Sequence, residues 1–159
     1  MQKKVSPIPA GYSTLTPYLV VKDAAKAIEF YKKVFGAKEV MRMKSPEGRV
    51  MHAELKLNDC MFMLADECPE SGHRSPLSLK GTAVSLLCYV ENVDSAFDKA
   101  VKAGCKSVQP VADKFYGDRS GVLTDPFGHC WCLATHKEDL TPEQINARAK
   151  EFFSTLAKA

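Results

Sequence analysis

The sequence has no long apolar run. No stretch of its 159 residues approaches the roughly 20 consecutive apolar residues that a membrane-spanning helix requires. The opening MQKKVSPIPAGYS also lacks the apolar segment of a secretory signal and is interrupted by proline and glycine. We therefore expect a soluble, cytoplasmic protein with no membrane partner.

An excess of charge of one sign is also absent. Lys and Arg number 22 against 19 Asp and Glu, which gives a net charge of +3, and the basic residues are dispersed along the chain. No stripe of alternating basic and aromatic residues, typical of nucleic-acid-binding surfaces, is present. The sequence therefore predicts no nucleic acid partner.

The six cysteines lack the spacing of a structural metal site. Cys130 and Cys132 form a C-x-C flanked by His129 and His136, whereas tetrahedral zinc sites typically use paired C-x2-C motifs. Six cysteines would suggest disulfides in a small secreted chain, but four of these lie in apolar, strand-like runs. We predict reduced thiols that pack as small hydrophobic side chains.

The clearest local pattern that is present is a hairpin over residues 122–136. Asp125-Pro126-Phe127-Gly128 predicts a turn, because Asp accepts from the following backbone amides, Pro fixes φ and Gly permits positive φ. Bulky apolar residues on both sides predict strands. Alternation places Trp131 on the opposite face from the two neighbouring cysteines, in the core.

A weak repeat relates the two halves at an offset of about 69 residues. Leu19-Val20-Val21-Lys22-Asp23 matches Cys88-Tyr89-Val90-Glu91-Asn92, and each segment is followed by an amphipathic helix. Each half therefore predicts one strand, one helix with an Asp or Asn N-cap, and three further strands. The predicted strands are 13–22, 39–44, 49–57, 60–65, 82–91, 106–111, 121–124 and 130–134, and the predicted helices are 24–35 and 93–103.

Alternation and helical spacing also predict buried faces. In strand 49–57, Met51 should share the buried face with Ala53 and Leu55. In helix 93–103, the expected buried stripe is Phe97, Ala100 and Val101. Residues 66–81 are polar and rich in Pro, Gly and Ser, and we predict a linker there.

The C-terminal segment predicts a further helix. Thr141-Pro142-Glu143-Gln144 has the pattern of a capping box with proline at the first helical position. An apolar stripe follows and must be covered, either by this chain, which we favour, or by a partner subunit. The stripe consists of Ile145, Ala149, Phe152, Phe153 and Leu156.

Several phrases resemble the vicinal-oxygen-chelate superfamily, which includes glyoxalase I, bleomycin-resistance proteins and extradiol dioxygenases, and in particular its PhnB-like branch. These phrases are PYLVVKDAAKAIEFYKKVFGAKEV, MHAELKLND, FYGDRSGVLTDPFGH and LATHKEDLTPEQI. The resemblance implies an α+β fold in which two tandem βαβββ modules form a curved eight-stranded cup, plus a C-terminal helix. It also implies a homodimer. The expected divisions are 13–66, a linker at 67–81, 82–136 and a helical extension at 137–159.

The resemblance also says where a metal would bind. Metal-dependent members carry His or Glu on the first and last strands of each module, and the matching positions here are Thr16, Met63, Ser85 and Cys132. Hydroxyl, thioether and thiol groups do not suit Mg²⁺ or Mn²⁺. We therefore expect no cofactor, and a divalent metal has no support at these positions.

Strand alternation places a set of apolar, sulfur-containing and hydroxyl side chains toward the cup. Such a lining suits a flat organic ligand, although these side chains could simply fill the cup. Tyr116 and Arg119 lie in a predicted loop at the rim, where Arg119 suits carboxylate or phosphonate recognition or forms a loop-fixing pair with Asp118, and Arg42 is a further candidate. The candidate ligand-binding residues are Thr16, Tyr18, Arg42, Met61, Met63, Ser85, Leu87, Tyr116, Arg119 and Cys132.

His52 and Glu54 are the candidate catalytic residues. On the polar face of their strand, they could form a general base pair or, with His129, a relocated metal site. Alternatively they lie on an exposed edge strand or form a structural ion pair. If Glu54 is buried it needs a partner, and the candidates are His52, Arg42 and Arg119.

Two main hypotheses follow. In the first, the protein binds a small organic ligand in the cup without the usual family metal site, as bleomycin-resistance proteins do. In the second, it is a glyoxalase- or lyase-like enzyme with a displaced site around His52, Glu54 and Arg119. An interaction protein that acts through its C-terminal helix is a third interpretation.

Overall fold

A computed structural model describes residues 5–156, and the chain divides into two compact units, 1–82 and 83–159. Each unit contains one open four-stranded sheet in which the first and last strands are parallel and the other neighbours are antiparallel. No helix within the described residues is long and apolar enough to cross a membrane.

The first unit has the strand order β1-β4-β3-β2. Its helix α1 follows β1, and two short helical segments follow β4. The elements are β1 (Tyr18–Val21), α1 (Ala24–Phe35), β2 (Lys38–Lys44), β3 (Val50–Leu57), β4 (Cys60–Asp66), a 3₁₀ turn (Pro69–Ser71) and α2 (Pro76–Leu79).

The second unit repeats this arrangement as β5-β8-β7-β6 and adds a C-terminal helix. The predicted repeat, the α+β class and the C-terminal helix are therefore confirmed. The elements are β5 (Ser85–Tyr89), α3 (Val93–Lys102), β6 (Lys106–Asp113), β7 (Asp118–Thr124), β8 (Cys130–His136) and α4 (Pro142–Leu156).

Helix α1 begins and ends where the sequence predicts. The Asp23 carboxylate accepts from the Lys26 amide at 3.0 Å, and Gly36 ends the helix in the left-handed conformation. The buried Tyr31 ring packs edge-on against Phe62 of β4, with ring centroids 5.8 Å apart. One face of the first sheet is therefore covered by α1, and the core lies between them.

The last strand of each unit fixes the start of the helix that follows the first strand of that unit, in the same way in both units. Asp66, at the end of β4, accepts from the amides of Ala24 and Val50, each at 2.7 Å. Thr135, near the end of β8, accepts from the Val93 amide at 2.9 Å. Asp66 and Thr135 are 69 residues apart, which is the offset of the repeat.

Strand β3 departs from the predicted alternation at its first two residues. Met43 pairs with His52 but Lys44 pairs with Val50, so Met51 is an extra residue in a β-bulge. The prediction that Met51 is buried is wrong: it is 49% exposed, and Val50 takes the buried position. The extra residue inverts the alternation for the residues that precede it in β3, and these are too few to reveal the bulge from the sequence.

Helix α3 packs on the second sheet through Val93, Phe97 and Ala100. The Phe97 ring lies against Gly121 of β7, where an added Cβ would come within 2.8 Å of the ring. Val101 was expected in this buried stripe, but it is 39% exposed, whereas Val93 at the helix start is buried.

The predicted hairpin is confirmed in its details. The Asp125 carboxylate accepts from the amides of Phe127 and His129, each at 2.9 Å. Its second oxygen accepts from the Trp131 indole at 2.9 Å, and Trp131 is buried as predicted. This carboxylate therefore joins the turn to the core of the second unit.

Two sequence-based expectations need correction. The segment 66–81 is ordered rather than a plain linker, since it contains the 3₁₀ turn, α2 and the fully buried Ser75. The six cysteines are free, as predicted, but only Cys105 is buried, whereas Cys60 is exposed and the others are intermediate.

The capping box at the start of α4 is confirmed, because Thr141 and Gln144 exchange side chain-to-amide hydrogen bonds of 2.8 and 3.3 Å. Arg148 forms a bidentate ion pair with Glu138, and the Phe115 ring lies 5.3 Å from that of Phe152. The helix thus contacts its own chain. Phe152 remains 44% exposed, and cover from a partner subunit remains a prediction.

Candidate functional site

The face of the first sheet that turns away from α1 carries the candidate site. Residues paired across neighbouring strands point to the same face, and Met63 pairs with both Tyr18 and Glu54. His52 lies two residues before Glu54 and shares that face. The structure therefore brings four of the sequence-predicted site residues onto one surface, which we call the open face of the first sheet.

A chain of hydrogen bonds runs across this open face. The Tyr18 hydroxyl lies 3.1 Å from His52 Nδ1, and His52 Nε2 lies 3.3 Å from Glu54 Oε1. With the ring proton on Nε2, Nδ1 accepts from Tyr18 and Nε2 donates to Glu54, so one neutral tautomer makes both contacts. Because β3 lies between β4 and β2, the expectation of an exposed edge strand is wrong, and both side chains are about four-fifths buried, 22% and 21% exposed.

The segment before β1 places a second tyrosine, Tyr12, beside Glu54 of this hydrogen-bonded chain. The Tyr12 hydroxyl is enclosed beside the Glu54 carboxylate, outside hydrogen-bonding geometry with any described group. Burial, and then the neighbouring carboxylate, raise the pKa of Tyr12 to about 12. The Tyr12 hydroxyl and then His52 in turn hold the pKa of Glu54 below its usual range, so Glu54 is ionised at neutral pH.

A pocket of about 260 Å³ adjoins Tyr18 on the open face. Its floor is formed by β1, β3 and β4, through Tyr18, Val20, Met51 and Ala65. This volume is slightly below the range typical of drug-sized ligands and suits a small molecule. Burial raises the pKa of Tyr18, so its hydroxyl stays protonated at neutral pH.

The rim of the pocket is polar. The Arg49 guanidinium donates to the Glu67 backbone carbonyl at 2.6 Å and lies at the mouth with the His73 ring. Cys68, also at the rim, donates through its thiol to Glu70 at 3.0 Å. None of these rim residues was predicted as a site residue, because Cys68 and His73 lie in the supposed linker.

The rim loop is fixed by a carboxylate. Glu67 accepts from the amide and hydroxyl of Ser75 at 3.0 and 2.7 Å and from the Ser78 hydroxyl at 3.0 Å. These hydrogen bonds lower the pKa of Glu67 to about 2. Glu67 is therefore ionised at neutral pH, and its carboxylate joins the end of β4 to the start of α2.

Three other predicted residues of the first unit belong neither to the hydrogen-bonded chain nor to the pocket lining. Arg42 is on the α1 side of the sheet and pairs with Glu29 and Glu39, so it is not a partner of Glu54. Met61 is on the open face but only 5% exposed. Thr16 precedes β1 and donates to the Ser13 carbonyl at 3.1 Å.

The second sheet carries a polar cluster that sequence reasoning missed. Asp118, which is 7% exposed, accepts from the Tyr89 hydroxyl at 2.8 Å and lies 2.7 Å from His136 Nδ1. His136 Nε2 lies 3.0 Å from Asp139. Asp118 and then Asp139 raise the pKa of His136. If β7 had been predicted to begin at Asp118, the alternation of its side chains would have placed Asp118 on the face that carries this cluster.

Arg119 is not the rim loop residue that was predicted. Asp118 and Arg119 belong to β7, and Arg119 lies on the α3 side of its sheet, where it pairs with Asp94 at 2.7 Å and Asp113 at 3.2 Å. Tyr116 does lie in the loop before β7, with its hydroxyl 3.5 Å from that of Ser120.

The remaining predicted residues of the second unit lie on the face of its sheet that turns away from α3. Ser85 pairs with Cys130 and Leu87 pairs with Cys132, as the predicted faces require. Leu87 is 57% exposed. Burial is the largest cause that raises the pKa of the Cys132 thiol, so it is protonated at neutral pH.

The donor groups do not fit the metal that the fold family would supply. Thr16, Met63, Ser85 and Cys132 offer hydroxyl, thioether and protonated thiol groups, which are poor ligands for hard divalent cations. Within residues 5–156, no three His, Cys, Asp or Glu side chains form a group that could hold a metal ion. The relocated site of His52, Glu54 and His129 is thus not assembled among these residues.

Comparison with known proteins identifies the fold family. A protein of uncharacterised function from Mycobacterium tuberculosis is 43% identical over 136 residues, 84% of this chain and 80% of that protein. The crystal structure of an Arabidopsis thaliana gene product is 30% identical, with a TM-score of 0.62 over 77% of this chain and 98% of that one. The PhnB protein of Bacillus cereus is 24% identical, with a TM-score of 0.62 over 77% and 99% of the two chains.

A family model covers both units. It describes the Glyoxalase/Bleomycin resistance protein/Dioxygenase superfamily and matches residues 13–133, which span every strand except the last residues of β8. The repeat, the sheet order and these matches agree. The chain belongs to the glyoxalase/bleomycin resistance protein/dioxygenase superfamily, and its fold is that of the PhnB-like vicinal-oxygen-chelate proteins.

Proposed function

We propose that this protein binds a small organic ligand on the open face of the first sheet, without the usual metal site of the family. The observation that carries the proposal is the pocket of about 260 Å³, whose floor is formed by Tyr18, Val20, Met51 and Ala65. Its lining combines an aromatic ring, a thioether and aliphatic groups with a few polar groups at the rim, as small-molecule sites do.

Homodimer formation, implied by the family resemblance, is part of the proposal, and light scattering in solution would test it.

A fragment screen tests the binding proposal. In a library of small organic compounds observed by amide NMR, we expect binders that shift the signals of Val20 and Ala65. Met51→Trp should abolish these shifts because the indole would fill the pocket. Met43→Trp, on a similarly exposed methionine that does not line it, should leave them intact. A screen without binders, or binders unaffected by Met51→Trp, would overturn the proposal.

The hydrogen-bonded chain favours proton transfer as a second candidate function. Tyr18 lines the pocket as a protonated phenol and is linked through His52 to the ionised Glu54, an arrangement suited to general acid–base catalysis. Arg119, part of the displaced site predicted from the sequence, instead has its ion pairs beside α3.

Deuterium exchange at a carbon next to a carbonyl group tests this second function. Dihydroxyacetone incubated with the protein in D₂O should exchange, and Tyr18→Phe should slow the exchange by about 100-fold, a typical contribution of one acid–base group. Tyr116→Phe, also a partly exposed tyrosine, is the control. Equal exchange in all three proteins would rule the candidate out.

A further inference from the structure

We infer that the pocket ligand is an aromatic carboxylate, with its ring over Val20 and Ala65 and its carboxylate at Arg49. This inference rests on the proposed function and adds the chemical class of the ligand. It comes from a comparison of the two units, because the second unit fills the equivalent space with one of its own side chains.

The equivalence follows from strand register. Val20 pairs with Ala65 across the parallel strands β1 and β4, and Tyr89 pairs with Ala134 across β5 and β8. Both members of the second pair lie 69 residues after those of the first. Tyr89 therefore occupies, in the second unit, the position that Val20 occupies in the first.

In the second unit the Tyr89 ring extends from β5 over β8 to β7, where its hydroxyl donates to Asp118 at 2.8 Å. Asp118 lies 69 residues after Arg49; Asp118 is the first residue of β7, and Arg49 immediately precedes β3. In the second unit, the Tyr89 ring therefore fills the space over β8 between β5 and the start of β7, and its hydroxyl is hydrogen-bonded to Asp118.

In the first unit the corresponding ring is absent, because Val20 ends at its methyl groups. The space between Val20, Ala65 and Arg49 is the pocket of about 260 Å³. An aromatic ring that replaces the missing tyrosine side chain would bury its faces against Val20, Ala65 and Met51. Burial of an aromatic ring is a large favourable term.

The polar group of the ligand follows from the difference in charge between Asp118 in the second unit and Arg49 in the first. Asp118 accepts a hydrogen bond from the Tyr89 phenol, whereas Arg49 can only donate. The Arg49 guanidinium uses one N–H for the Glu67 carbonyl and lies 3.9 Å from the Glu70 carboxylate, which leaves further N–H groups for a ligand. Asp66 also lines the pocket, but both of its oxygens accept backbone amides. A carboxylate is the acceptor that a guanidinium binds best.

Calorimetric titration of the full chain with benzoate and with benzamide, which has nearly the same shape without the charge, tests the inference. We expect benzoate to bind at least about 10-fold more tightly, the value of a charge-assisted hydrogen bond. Arg49→Gln should remove this preference and leave benzamide binding unchanged. Arg74→Gln, an exposed arginine that does not line the pocket, should have no effect.

Val20→Tyr is the second variant, because it should reproduce the Tyr89 arrangement and abolish binding of both compounds. Val108→Tyr, on the exposed strand position of the other sheet, is its control. Equal binding of benzoate and benzamide, or benzoate binding retained in Val20→Tyr, would overturn the inference while fragment binding at Val20 still supported the proposed function. Loss of all fragment shifts at Val20 would overturn both.

Discussion

At the scale of single residues, Asp118 is a nearly buried carboxylate of the second unit with two side-chain partners. One oxygen accepts the Tyr89 hydroxyl and the other contacts His136, while the residue itself is nearly buried. A buried carboxylate with two partners is stable only while both contacts persist. The contact between Asp118 and His136 depends on the protonation of the His136 imidazole, so the structure at the start of β7 should depend on pH.

The pH dependence of His136 has a definite sign. Its pKa in the folded protein is raised above 6.5 by Asp118 and Asp139, so its stabilising contribution is complete below about pH 6.5 and is lost as pH rises through the folded value. NMR titration should show an elevated His136 pKa, which falls in Asp118→Asn and falls less in Asp139→Asn. An unshifted pKa in the unsubstituted protein would contradict the contact.

At the scale of elements, the fold was largely predictable and the site only in part. Helix ends were found because Asp23, Asn92 and Thr141 are capping residues whose chemistry is local. The bulge at Met51 and the start of β7 at Asp118 were missed, because strand ends depend on pairing with other strands. The pocket rim was missed for the same reason, since Arg49 and His73 meet only through tertiary structure.

The connection from β8 to α4 depends on a close approach of backbone at Gly117. This glycine has φ of +96°, and an added Cβ would lie 2.5 Å from the Glu138 carbonyl oxygen. The Gly117 carbonyl also accepts from the amides of Lys137 and Glu138. No side chain can enter here without moving the chain that leads to α4.

Gly117→Ala should therefore destabilise the protein more than a glycine substitution in open space. Gly48→Ala is the matched control, because Gly48 has φ of +88° with no atom near the added Cβ, and should cost roughly 1 kcal/mol. Urea unfolding should show a clearly larger loss for Gly117→Ala, with faster amide exchange in α4. Equal losses would mean that residues 137–140 move aside at little cost.

At the scale of the whole molecule, the chain consists of two similar units, each with its own sheet and helix packed around a core. Leu64 of β4 and Leu133 of β8 stand 69 residues apart, and both are completely buried. They are equivalent positions in the two cores. A change at one should resemble a change at the other.

Leu64→Ala and Leu133→Ala should each lower the free energy of unfolding by about 2–5 kcal/mol, because each creates a cavity in a packed core. Hydrogen exchange should increase first in residues 1–82 for Leu64→Ala and in residues 83–159 for Leu133→Ala. Leu15→Ala, at an 85% exposed leucine, is the control and should change little. A small loss at either buried position would contradict the two-core description.

The bulge in β3 has a consequence for how this site can change in evolution. Met51 is the extra residue where β3 pairs with β2, whereas in the equivalent pairing of β7 with β6 the extra residues lie in β6. Loss of the Met51 codon would restore regular alternation, keep Val50 inward and Arg49 outward, and widen the floor of the pocket. Descendants of this gene can thus remodel the site by changing the length of one strand by a single residue, with no exchange of inside for outside.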